Sequence, residues 1–295
     1  MRTIRLIPLL ACSFFLSALS YADCIKDERS SKTSGLLISE FNLAGTQALS
    51  SEEVSDITSG FDGSCFNDDS EELGERIRAA FQNRGYFMVS VKNVRIKAND
   101  PLSVPKPVAV EAEVTEGPRF KFGEIGFTGN HAFSSDTLVA EFPVKKGSVF
   151  ERDKIAHGLE SVMKLYLANG YLEATMVPNT RFIGERVALD IDVDEGRQFR
   201  MGNLQIFAKG ERADKLRAAW GISEGTVFDD SYLEKYIQTN QALMPTNFTR
   251  QSAQVVHDCR ESTVEVRLPI DPLDPRSLAP AKDVDCDSRY AGTRQ

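Results

Sequence analysis

Three blocks of residues recur in the same order along this chain, so it must fold as copies of one supersecondary unit. Glu116-Gly117-Pro118-Arg119-Phe120-Lys121-Phe122-Gly123 returns 79 residues later as Glu195-Gly196-Arg197-Gln198-Phe199-Arg200-Met201-Gly202. Lys146-Gly147-Ser148-Val149-Phe150-Glu151 returns after 78 residues as Glu224-Gly225-Thr226-Val227-Phe228-Asp229, and Asp62-Gly63-Ser64-Cys65-Phe66-Asn67 stands 84 residues before it. Asn83-Arg84-Gly85-Tyr86-Phe87 matches Ala168-Asn169-Gly170-Tyr171-Leu172 at a spacing of 85. The longer first period has a visible source. Pro101, Pro105 and Pro107 mark an enlarged hairpin loop between Ala98 and Pro107.

The second copy is the clearest. Residues 120–128 place Phe120, Phe122, Ile125 and Phe127 in a strand that ends at Gly129-Asn130. Ser134-Ser135 caps a short helix over 136–142, closed by Pro143. A longer helix over 151–169 brings Ile155, Leu159, Val162 and Tyr166 onto one face. Gly170 follows it, where a left-handed residue ends helices most easily. Residues 171–182 and 186–194 form a hairpin, with Val187, Leu189, Ile191 and Val193 alternating on one face. The order is strand, helix, helix, strand, strand. In the first copy, Leu73, Ile77, Ala80 and Phe81 mark the long helix, and Val108, Val110, Ala112 and Val114 the last strand. The third ends on Val264, Val266 and Leu268, with Asn247 at the left-handed cap position.

These blocks resemble the polypeptide-transport-associated (POTRA) domain. The features that carry the resemblance are Gly123-Glu124-Ile125-Gly126-Phe127-Thr128-Gly129-Asn130, Gly147-Ser148-Val149-Phe150, Ala168-Asn169-Gly170-Tyr171 and Val193-Asp194-Glu195-Gly196. The resemblance implies an α+β fold of three tandem β-α-α-β-β domains over residues 35–118, 119–197 and 198–275. Each would be a three-stranded mixed sheet covered on one face by two helices. Such domains usually stand before an outer-membrane β-barrel and receive its unfolded substrates and accessory proteins. A barrel needs at least eight strands of about ten residues, so the expectation here is an array without one.

Outside the repeats, Arg2 and Arg5 precede an apolar stretch through Leu19 and the small-residue site Ser20-Tyr21-Ala22. Residues 1–22 therefore read as a secretory signal, with 23–34 and 276–295 as tails. An uncleaved anchor helix is the rival, but Pro8, Ser13 and Ser17 interrupt the apolar run. Cleavage removes Cys12 and leaves Cys24, Cys65, Cys259 and Cys286. An even count in an oxidising compartment suggests disulfides in one of three connectivities. Cys24–Cys65 and Cys259–Cys286 are the preferred pairs, each fastening a tail to the adjacent domain. A lipidated Cys24 and a zinc site are the alternatives, disfavoured by Asp23 and by the lack of a CxxC or paired histidines.

A catalytic site finds no support. His131, His157 and His257 are isolated, and no HExxH, GxSxG, P-loop or dinucleotide fingerprint occurs. Asp283, Asp285 and Asp287 lack the glycine and terminal glutamate of a calcium loop and read as a solvated acidic tail. The balance of 35 Lys and Arg against 43 Asp and Glu, net −8, argues against nucleic acid. No cofactor or metal is expected, and contact with the membrane would be peripheral at most.

What remains is binding through backbone. If the first hairpin strand is a sheet edge, as the resemblance implies, an extended polypeptide can add there as a further strand. The candidates are residues 86–97, 171–182 and 248–258. Pro178 weakens the second. The first carries Phe87, Val89, Val91, Val94 and Ile96, and the step of three from Val91 to Val94 suggests a bulge. The expected function is a non-enzymatic periplasmic scaffold or chaperone-like module in outer-membrane protein assembly or secretion. Its partners would be an outer-membrane barrel protein or unfolded outer-membrane or secreted polypeptides. A structural or docking component of an envelope or division complex is the alternative, and an exported hydrolase a third reading.

Overall fold

A computed structural model of the protein describes residues 36–271 apart from 67, 68, 101 and 104. The segments expected as leader and tails, Cys24, Cys286 and the acidic run at 283–287 lie outside the described residues. The first repeat runs β1 (Leu36–Ala44), α1 (Ser51–Ser59), β2 (Cys65–Phe66), α2 (Ser70–Gln82), β3 (Ser90–Ala98) and β4 (Lys106–Thr115). The second runs β5 (Lys121–Thr128), α3 (Ser135–Ala140), α4 (Arg152–Ala168), β6 (Thr175–Ile183) and β7 (Arg186–Asp194). The third has β8 (Arg200–Phe207), α5 (Glu211–Ala218), α6 (Asp230–Thr239), β9 (Gln254–Asp258) and β10 (Thr263–Pro269), with 3-10 turns at Gln241–Leu243 and Arg250–Ser252.

The strands form three sheets, ordered β2-β1-β4-β3, β5-β7-β6 and β8-β10-β9. In the first and third, the opening strand of the repeat pairs parallel with the closing strand, which also pairs antiparallel with its hairpin partner. The first sheet departs from the expected three strands. Cys65 and Phe66 pair antiparallel with Leu37 and Leu36 as a fourth. The other repeats make the same contact through one residue each, Lys121 with Val149 and Arg200 with Val227. The extra strand is thus an extension of a contact that every copy makes.

The chain gathers into two compact units. One holds the described residues up to Gly126 with Phe142–His157 and Pro178–Asp190; the other holds Phe127–Glu141, Gly158–Val177 and the described residues from Ile191 on. In the first unit, the core follows from two periodicities. Every second residue of β4 from Val108 to Val114 points inward, and Leu73, Ile77 and Phe81 of α2 meet them at a spacing of four. Ser50 and Glu53 close a reciprocal capping box on α1, and Asp69 caps α2. In the second unit, Val264, Val266 and Leu268 of β10 pack with Phe199, Phe228 and Leu233. Burial there pushes the Tyr236 phenol up to about 12, and its hydroxyl donates to the Leu216 carbonyl at 2.6 Å.

The repeated Glu-Gly pair has a definite task. Glu116 is 6% exposed, and its carboxylate accepts the backbone N–H groups of Gln47, Ala48 and Leu49 at 2.8–3.2 Å. A buried carboxylate needs such donors, and here they belong to the loop entering α1. Glu195 accepts from Ala132 N and from the Tyr166 hydroxyl, both at 2.9 Å. Burial and then that bond to Glu195 raise the Tyr166 phenol above its ordinary value. In the third repeat, Asp271 accepts from Lys209 N at 2.8 Å and pairs with Arg212. Replacing Glu116 with alanine strands three amides, so Glu116→Ala should cost about 2–3 kcal/mol in urea unfolding followed by circular dichroism. A loss below about 0.5 kcal/mol would show that solvent serves the loop equally well.

Candidate functional site

β3 lies at the rim of the first sheet, paired on one side with β4. The register runs Val91 to Val114 and Lys92 to Glu113, then resumes at Arg95 to Glu111 and Ile96 to Val110. Asn93 and Val94 fall in the irregularity. Asn93 takes the left-handed backbone there, φ 50°, and its amide donates to Glu113 Oε2 at 2.6 Å. Asparagine tolerates that conformation better than most residues. The added residue accounts for the step of three in the sequence, since Val91, Val94 and Ile96 all pack against the core and remain half-buried. Lys92, Arg95 and Lys97 are exposed. On the open face of the sheet, Asn42, Asn93, Arg95, Glu111 and Glu113 line a shallow depression.

The rims of the other sheets differ. β6 carries Pro178, which offers no N–H, and β9 has only five residues. β3 has nine residues and no proline.

Two residues expected on the edge strand are placed elsewhere. β3 begins at Ser90, not Tyr86, and Phe87 and Val89 precede it. Val89 is in the core. Phe87 enters an aromatic cluster of the next repeat, 5.2 Å from Phe150 and 5.5 Å from Phe182, with Phe120 beside Phe182 at 5.2 Å. The physical reason is a tight turn after the glycine, in which Val89 N reaches Tyr86 O at 3.2 Å. It buries Tyr86 in its own domain and sends Phe87 out of it. Tyr171 and Ala174 repeat the turn at 3.2 Å, and Leu172 packs against the core that holds Phe199 and Phe228.

Around these side chains the glycine block builds a joint, made twice. Phe120 N donates to Gly85 O at 2.8 Å, and Phe199 N to Gly170 O at 2.7 Å. Arg119 Nε donates to Arg84 O at 2.9 Å, and Gln198 Nε2 to Asn169 O at 3.1 Å. Both glycines are left-handed, φ 90° and 80°. A Cβ on Gly85 would lie 2.8 Å from Val149 Cγ1 and 2.9 Å from Phe120 O; one on Gly170 would lie 2.6 Å from Phe199 O. The first joint adds two features. Arg119 pairs with Glu53 at 3.1 Å, and Asn83 caps α4 by accepting from Asp153 N at 3.0 Å. Among the described residues, the third copy does not form the device. Asn247 does not adopt the left-handed conformation expected of it, since among described residues only Asn93 and Ser262 do so without being glycine. Thr249 stands where Phe87 and Leu172 stood.

Cys65 and Cys259 are both buried. Cys259 lies in the turn between β9 and β10, where its carbonyl accepts from Arg197. His157 is exposed on α4, and His257 stands 5.2 Å from the Phe199 ring. Among the described residues, no group of three His, Cys, Asp or Glu could hold a metal ion, and no helix is long and apolar enough to cross a membrane.

Residues 120–196 match the POTRA family, described as a surface antigen variable number repeat. A Treponema pallidum protein named as a candidate outer membrane protein assembly factor is 24% identical over 127 residues, 42% of this chain and 15% of that protein. The outer membrane protein assembly factor BamA of Nitratidesulfovibrio vulgaris is 23% identical over 255 residues, 80% of this chain and 31% of that one. The chain thus spans less than a third of the length of these relatives. Among solved structures, BamA POTRA domains 3–5 from Haemophilus influenzae match with a TM-score of 0.57 at 20% identity, over 79% of this chain and 95% of that one. That likeness establishes the fold.

Alanine at either joint glycine must relieve a sub-3 Å contact while holding a left-handed backbone. Gly85→Ala and Gly170→Ala should each cost about 2 kcal/mol or more. Urea unfolding measures both, and Trp220, which packs against the core that holds Phe199 and Phe228, reports the second by fluorescence. Wild-type midpoints for both variants would mean that the joints yield without strain.

Proposed function

The chain is a tandem array of POTRA-fold domains, and from that premise we propose that it works as a periplasmic scaffold for outer-membrane protein assembly or secretion. It binds polypeptide and carries out no chemistry. The observation that carries this reading is the rim at β3, nine residues long and free of proline. The outward backbone groups of such an edge accept an extended visitor with little demand on its sequence. The names of the two curated relatives add support: one is named as an outer membrane protein assembly factor and the other as a candidate for one. The visitors are an outer-membrane barrel protein or unfolded outer-membrane or secreted polypeptides. Read as a secretory signal, residues 1–22 support export to the periplasm, an oxidising compartment in which Cys24–Cys65 and Cys259–Cys286 would form.

The repeated joint favours a second reading, a spacer that docks into an envelope or division complex. A photo-reactive residue at Lys97, with another at exposed Glu160 on α4 as the control, separates the two in intact cells. The scaffold reading expects nascent outer-membrane polypeptides to be captured from position 97 and not from 160. Capture of folded envelope proteins alone, or equal capture at both positions, would overturn it.

A further inference from the structure

We infer that the guest of β3 is a strand alternating apolar and acidic residues; this deepens the strand-addition reading and rests on it. The open face of the first sheet carries charge in rows. Glu111 and Glu113 of β4 stand opposite Arg95 and Lys92 of β3, and Lys97 stands opposite Ala109. On the far side of β4, Asn42 and Ala44 of β1 face the same two glutamates. The charged side chains of the outermost row are therefore all basic, in a chain whose net charge is −8. Among the described residues, no hydrogen bond or ion pair engages the side chains of Lys92, Arg95 or Lys97. A strand added beyond β3 sets every second side chain beside this row.

Two consequences follow from the charge. A second copy of β3 would bring cations against cations, so the row opposes edge-to-edge self-association. A guest with acids at those positions extends the alternation of sign already present between β4 and β3. Its other side chains fall on the core side, beside the half-buried Val91, Val94 and Ile96, and gain from being apolar. Opposite-charge pairs across strands are individually weak, so three amount to a preference of roughly ten-fold.

The test uses fluorescent ten-residue peptides alternating valine with glutamate, lysine or glutamine, titrated into the whole protein by anisotropy. Hydrogen exchange locates the bound peptide. The expected result is protection of residues 90–98 and binding of the glutamate peptide about ten-fold tighter than the lysine one, the gap narrowing at high salt. Lys97→Glu, which faces Ala109 and creates no clash within the sheet, should shrink the preference about two- to three-fold. The Lys92→Gln, Arg95→Gln, Lys97→Gln triple variant should abolish it. Protection at 90–98 with equal affinity for all three peptides would overturn the acidic guest while leaving strand addition intact. Absence of protection there with any peptide would defeat both.

Discussion

The arrangement depends on a backbone contact that a side chain would prevent. At Gly85 and again at Gly170, the carbonyl just past the long helix of one repeat receives the N–H that opens the next. The chains approach so closely that a Cβ has no room. Left-handed glycine supplies both the turn and the clearance. Once it is in place, the neighbouring residues have fixed assignments: Tyr86 is buried and Tyr171 packs edge-on to Tyr166 of its own repeat, while Phe87 and Leu172 enter the following repeat. The residues that recur most visibly along the sequence are those that join copies, together with the acids that tie the closing strand to the loop before the first helix.

This allocation determines what is left for a visitor. The apolar residue after each recurring tyrosine is taken up by the joint, so the proposed binding falls to the strand that follows. Among the three hairpin strands, β3 alone is both long and free of proline. Its bulge at Asn93 keeps the valine and isoleucine side chains directed at the core and the cations at solvent. An edge managed in this way resists its own kind without being closed, because charge on a rim discriminates by sign.

Much of this was legible in the residues. The strict alternation from Val187 to Val193 defines β7, found at Arg186–Asp194, and the four-three-four spacing of Ile155, Leu159, Val162 and Tyr166 defines α4. The bulge shows in the step from Val91 to Val94. The destination of Phe87 does not, because local patterning identifies an apolar residue without saying which domain buries it. The role of Glu116 is hidden for a related reason. Its partners are backbone amides 67–69 residues away, and any sequence supplies those. The fourth strand, at Cys65–Phe66, is two residues long and carries no periodicity to read. Asn247 misleads because residue type indicates tolerance of a left-handed backbone, while the 3-10 turns after α6 remove the need for it.

The central claim is that this array receives extended polypeptide through the backbone of one sheet rim. Hydrogen exchange on the full chain, with and without an unfolded outer-membrane polypeptide, addresses it directly. The account predicts that amides of residues 90–98 slow markedly while those of β6 and β9 change little. Slowing confined to other segments, or none at saturating polypeptide, would contradict it.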